Sequence, residues 1–240
     1  PLSLFNPIKY ILSIGGKRMR PILTLMSTNL FSENIDVSIP AALGIEIFHN
    51  FSLLHDDLMD NASIRRNQPT VHVKWDSNTA VLSGDAMLID SYKHIAKVSK
   101  TALPQVFDIF NATALQVCEG QQYDMDFEKR LNVNESEYLN MIQLKTAVLV
   151  AASLKIGAVL GNASVEDAQN LYDFGINIGL AFQLKDDLLD IYGVQDDFGK
   201  KIGGDILSNK KTFLLIKALE KSSNQQKNEL YQWIEKTEFD

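Results

Sequence analysis

Apolar residues recur every three or four positions through most of the chain, and only six prolines interrupt its 240 residues. That spacing is the period of an α-helix whose apolar stripe needs a partner, so the pattern predicts an all-α protein built from long amphipathic or buried helices. Helices are expected over Pro21–Leu30, Ala41–Asp60, Thr79–Val98, Leu103–Tyr123, Glu135–Leu160, Asp173–Tyr192 and Thr212–Lys221. Two stretches break the period. Asn61–Val73 contains Arg65, Arg66 and Pro69, and Gly193–Lys211 contains four glycines and four lysines, so both read as functional loops. Neither a linker nor a short repeat divides the sequence, which predicts a single domain over residues 1–240, a helical bundle around a central cavity.

Two of these helices end in acid. Asp56, Asp57 and Asp60 form Asp-Asp-Leu-Met-Asp, and Asp186, Asp187 and Asp190 form Asp-Asp-Leu-Leu-Asp. Carboxylates at a helix C-terminus face the negative end of the macrodipole, which is unfavourable unless a cation lies beside them. Residues four apart differ by only about 40° in direction, so Asp56 with Asp60, and Asp186 with Asp190, are expected to act as clamps for a hard cation. A solvated acidic helix end would explain one such copy. Two copies after strongly apolar runs point instead to magnesium, which accepts a few carboxylates and completes its shell with water and phosphate oxygens. Gly175, Gly179 and Gln183 share a face with Asp186 and Asp190, and the glycines are expected to leave an open groove.

Basic residues supply the complementary half of an anion site. Gly15 and Gly16 lead into Lys17, Arg18 and Arg20, a turn in which backbone N–H groups, a point charge and a guanidinium fork can approach a diphosphate. Arg65 and Arg66 follow Asp60 closely enough to flank the same anion. Lys145 and Thr146 interrupt an apolar helix, and a lysine there needs a counter-charge, for which a bound anion is one resolution. Lys200 and Lys210 lie in the glycine-containing loop and are expected to close over phosphates.

The remaining composition is mainly exclusionary. A net charge of −7 argues against nucleic acid as the principal partner. The most apolar stretch, Ala147–Leu160, is too short to span a bilayer and carries Lys155, so no membrane span is expected. Cys118, the single cysteine, has no internal disulfide partner and fits a reducing, cytoplasmic setting. His49, His55, His72 and His94 show no zinc spacing with Cys118, and no phosphate-binding loop of the Walker type occurs.

Several motifs in order carry a resemblance. They are Gly-Gly-Lys-Arg-Met-Arg-Pro at Gly15–Pro21, His-Asp-Asp-Leu-Met-Asp at His55–Asp60 with Arg65 and Arg66, and Gly-Gln-Gln-Tyr-Asp at Gly120–Asp124. Lys145-Thr146, Gln183 with Asp186–Asp190, and Phe-Gly-Lys through Gly-Gly-Asp to Lys-Lys-Thr at Phe198–Thr212 complete the set. From about Tyr10 to Leu219 the chain resembles trans-isoprenyl diphosphate synthases of the polyprenyl synthetase family, which implies the isoprenoid synthase fold.

The resemblance also implies roles. Asp56, Asp60 and Asp186 would hold magnesium, three ions in all, with Asp57, Asp187 and Asp190 as auxiliary ligands. An allylic diphosphate would bind through those ions and Arg65, Lys145, Lys200 and Lys210. Isopentenyl diphosphate would bind to Lys17, Arg20, His49 and Arg66, while Thr146 and Gln183 would face the reacting carbons. Phe51 and Ser52, five and four residues before Asp56, and Phe48 would limit the product to farnesyl or geranylgeranyl length. Members of the family are generally homodimers, and the Leu103–Tyr123 region is the expected contact. They also extend beyond both ends of this sequence, so the domain is expected to be incomplete at each. Alternatives are a terpene cyclase, for which the Gly-Gly-Lys-Arg turn has no use, and a non-catalytic subunit, for which intact aspartates have none.

Overall fold

In the computed structural model, residues 1–193 and 203–234 are described. The helices are α1 (Leu2–Ser13), α2 (Met19–Asn29), α3 (Ile39–Met59), α4 (Val71–Lys74), α5 (Ser77–Ile95), α6 (Leu103–Glu128), α7 (Glu135–Ile142), α8 (Val148–Leu160), α9 (Val165–Tyr192), α10 (Gly204–Leu207), α11 (Phe213–Lys221) and α12 (Asn224–Ile234). A short hairpin, β1 (Ile64–Arg65) with β2 (Gln68–Pro69), follows α3. Its turn residues Arg66 and Asn67 both have positive φ, and it gives the expected loop a defined shape.

Local chemistry sets the helix starts. Asp76 and Ser164 accept hydrogen bonds from the backbone N–H groups of Thr79 (2.8 Å) and Asp167 (3.0 Å). Asn134 and Glu137 form a reciprocal capping box at the start of α7. Pro40 and Pro104 sit in the first turns of α3 and α6, where the missing N–H has no intrahelical partner in any case.

Helix α3 packs mainly on α5, while α8 lies between α2 and α9. Phe48, Phe51, Leu54, Met87, Phe110 and Val148 belong to the main buried core. The ring of Phe48 is 5.5 Å from that of Phe51 and 5.3 Å from that of Phe110, so an aromatic cluster lies along α3 below its acidic end. Two stretches, Ile35–Met59 and Glu135–Leu160, are long and apolar enough to cross a membrane by length and composition. No membrane span is expected from the sequence, and core helices of a bundle have this same length and apolar composition. Half of the first and two thirds of the second are buried within the bundle, where the apolar residues serve the core.

Two expectations are corrected by the packing. The helix foreseen over Glu135–Leu160 is divided by a π-helical turn at Gln143–Ala147, a widened turn of the kind that re-aims side chains at functional sites. Gly175 and Gly179 leave no groove. A Cβ on either would lie 2.5 Å from the Cα of Ala151 or Ala147, so these glycines let α9 touch the backbone of α8.

Candidate active site

The π turn carries the residues that connect the two acidic helices. Lys145 Nζ lies 2.9 Å from Asp56 Oδ1 and 2.7 Å from Asp124 Oδ2. The adjacent Thr146 hydroxyl donates to Gln183 Oε1 at 3.1 Å. Gln183 Nε2 in turn donates to Asp187 Oδ1 at 3.1 Å, so five contacting residues link the end of α3 to the end of α9. Gly120 permits this arrangement, because a Cβ there would come within 2.2 Å of the Lys145 backbone nitrogen.

Lys210 completes the cluster, donating to Asp60 Oδ2 at 2.8 Å and to Asp124 Oδ2 at 3.4 Å. The counter-charges that Lys145 requires are therefore supplied by the protein. Burial pulls the Lys145 pKa down, but Asp56 and Asp124 leave it above the ordinary lysine value. For Lys210, burial is likewise outweighed by Asp124, Asp60 and Asp56. Burial pushes Asp56 up, but Lys145, Lys210 and Arg65 bring it down to about 2. Asp124 is also lowered, by Lys145 and Lys210 against its burial. The sequence reading gave Asp124 no role, although its motif was noted. A lysine in an apolar helix signalled the need for an acid, and the structure supplies it in Asp124, only 6% exposed.

Asp57, Asp187 and Asp190 each have protein donors as partners. Asp57 is buried and accepts Arg65 Nε at 2.7 and 2.8 Å, while Arg65 Nη2 reaches Asp56 at 3.2 Å. Burial raises Asp57 to about 6 despite that pairing. Asp187 accepts the Tyr138 hydroxyl at 2.6 Å, the Phe213 backbone N–H at 3.3 Å and Gln183. Asp190 accepts the Asp205 N–H at 3.2 Å. Asp57, Asp187 and Asp190 are thus buried, each engaged by a protein donor. Asp186 remains half-buried beside them.

A basic cluster adjoins the acidic one. Gly15 (φ +94°) and Gly16 (φ +128°) form the turn before α2, and a Cβ on Gly16 would lie 2.7 Å from the Arg66 guanidinium carbon. Arg66 donates to the Gly15 carbonyl, and Arg18 pairs with Glu46. Arg20 Nη1 is 3.1 Å from His49 Nε2, while the buried Arg20 Nε has no partner. Burial lowers Arg20 to about 10. Burial, then Arg20, Arg66, Arg65 and Arg18, hold His49 well below its usual pKa, so four guanidiniums surround a neutral imidazole. Such a site is short of negative charge. Lys17, in the turn before α2, is exposed.

Beneath Asp56, Phe51 packs on His55 at 4.8 Å and Ser52 donates to the His49 carbonyl at 2.9 Å. Lys200 lies outside the described residues.

For a metal, the donor chemistry fits only in part from protein alone. Asp56 and Asp60 offer hard oxygens, yet among the described residues no group of three or more His, Cys, Asp or Glu side chains could hold an ion. A cation here must draw further ligands from water and phosphate, the usual condition of magnesium.

A helical bundle with an acidic cluster and an arginine cluster side by side is the architecture of the isoprenoid synthase fold. A family model described as polyprenyl synthetase matches residues 2–240, and the chain belongs to that family. It is 42% identical over 223 residues to geranylgeranyl diphosphate synthase of Methanosarcina mazei, covering 92% of this chain and 69% of that protein. A crystal structure of a geranylgeranyl pyrophosphate synthase superposes with a TM-score of 0.93 at 50% identity, covering 98% of this chain and 72% of that one. A polyprenyl synthase from Caulobacter crescentus, complexed with calcium and isoprenyl diphosphate, gives a TM-score of 0.90 at 32% identity, with 98% of this chain and 71% of that one covered. The protein is a prenyltransferase.

Proposed function

We propose that this enzyme condenses isopentenyl diphosphate with an allylic prenyl diphosphate, head to tail, giving a farnesyl or geranylgeranyl product. The observation that carries this reading is the juxtaposition of two charge clusters. Asp56, Asp60, Asp124, Lys145 and Lys210 suit a cation-bound diphosphate, whereas Arg20, His49 and Arg66 suit a diphosphate bound directly, and Arg65 joins the two.

Asp56, Asp60 and Asp186 would hold magnesium, three ions together with the allylic diphosphate, which would supply Lewis-acid stabilisation of the leaving group. Lys145 and Lys210 turn from their carboxylates toward the allylic diphosphate oxygens, and Lys200 shares that task. Lys17, Arg20, His49 and Arg66 orient isopentenyl diphosphate. The allylic C–O bond breaks, the isopentenyl double bond forms the new C–C bond, and the proton released is taken by the departing pyrophosphate. Thr146 and Gln183 present oxygens to the cationic carbons, and apolar walls keep out water that would capture them.

Phe51, backed by Phe48 and Phe110, sets the depth of the tail pocket. Exposed Leu82, Ile89 and Leu115 on α5 and α6 support a homodimer through that face. The test is incubation with magnesium, isopentenyl diphosphate and dimethylallyl, geranyl or farnesyl diphosphate, followed by chromatography. A prenyl diphosphate longer by five-carbon units is expected; a cyclic hydrocarbon would instead establish a cyclase.

A further inference from the structure

Tyr138 has no part in the chemistry above, yet its hydroxyl is directed into the same network. It is 1% exposed and donates to Asp187 Oδ2 at 2.6 Å, the shortest contact in a chain that ends at Thr146. Asp187 accepts in each of its contacts, whereas the primary amide of Gln183 has one donor end and one acceptor end. Asp187 Oδ2 is occupied by Tyr138 and the Phe213 N–H, which leaves Oδ1 for Gln183 Nε2. With its NH2 group held there, Gln183 keeps Oε1 on the side of Thr146, whose hydroxyl donates to it at 3.1 Å.

We infer that Tyr138 is a positioning residue which, by fixing Asp187, makes Gln183 present its amide oxygen rather than its NH2 group to the reacting carbons. This rests on the elongation reading, in which those carbons become cationic. An oxygen dipole aimed at developing positive charge lowers the barrier, and a reversed amide raises it. Three elements converge to set the geometry. Tyr138 comes from α7, whose first turn is fixed by the Asn134–Glu137 capping box, Phe213 begins α11, and Gln183 with Asp187 occupy one face of α9. A role confined to tying α7 to α9 would use the same Tyr138–Asp187 bond but would not depend on Gln183.

That dependence is the test. Tyr138→Phe should reduce kcat by about tenfold, the equivalent of one buried hydrogen bond, with KM for both diphosphates changed less than about twofold. In a Gln183→Ala background the same substitution should have no further effect. Asp187→Asn, which conserves volume, should behave likewise and serves if Tyr138→Phe folds poorly. In metal-free protein labelled with 15N-glutamine, the Gln183 side-chain amide signal should move in Tyr138→Phe, a readout that needs no substrate. Undiminished kcat, an equal loss with and without Gln183, or an unmoved amide signal would overturn the inference. A wild-type enzyme that fails to elongate would instead overturn the reading on which it rests.

Discussion

Lys145 Nζ stands 2.9 Å from Asp56 Oδ1, so the principal aspartate of the first acidic motif is paired with a lysine from a helix 89 residues further along the chain. The pair explains how acid can gather at the C-terminus of α3 in the absence of metal.

The pairing has a pH signature. Burial pushes Asp56 up, but Lys145, Lys210 and Arg65 bring it to about 2, below the ordinary aspartate value. A carboxyl depressed by folding contributes stability in full above its unfolded pKa of about 4, and loses it as pH falls toward 2. The contribution is on the order of 2 kcal/mol. Urea unfolding in chelator between pH 5 and 2 should show wild type losing stability more steeply than Asp56→Asn. Parallel curves would contradict the pairing.

Asp124 is shared by two lysines, so Asp124→Asn should loosen both. The expected result is a fall in kcat/KM for the allylic diphosphate of about 10–100-fold, with KM for isopentenyl diphosphate little changed, measured by steady-state kinetics. Equal effects on both substrates would place Asp124 outside this role.

Phe51 is 9% exposed and Phe48 1%, with Phe110 behind them. Phe51→Ala should lengthen the product by one or two five-carbon units and no more, since two rings remain below. The lost packing should cost about 3–5 kcal/mol of stability. Product chromatography checks the first, thermal unfolding the second.

Gly179→Ala would drive a methyl against the Ala147 backbone beside Lys145 and Thr146. Destabilisation by about 1–3 kcal/mol is expected from overpacking, together with reduced kcat as the π turn shifts away from Gln183. Stability unchanged in denaturant titration would contradict the close approach.

The helical class and the acidic ends of α3 and α9 were legible in sequence because both follow directly from period and residue type. The π turn was not, for no local residue signals an extra residue in a helix, and the close approach of Gly120 to Lys145 is a tertiary contact. The separate duties of Asp57, Asp187 and Asp190 were hidden for a similar reason. Their partners Arg65, Tyr138 and Asp205 are near only in space or across a loop. Lys145 demanded an acid, but its partner Asp124 lies 21 residues earlier on another helix, and spacing alone could not choose it.

The most direct test of paired diphosphate sites is the stoichiometry of pyrophosphate release with magnesium and an allylic diphosphate present. One pyrophosphate should appear for each isopentenyl diphosphate consumed, with negligible release when isopentenyl diphosphate is withheld and a near-complete loss in Asp56→Ala. Rapid release without isopentenyl diphosphate, accompanied by a hydrocarbon product, would contradict the account.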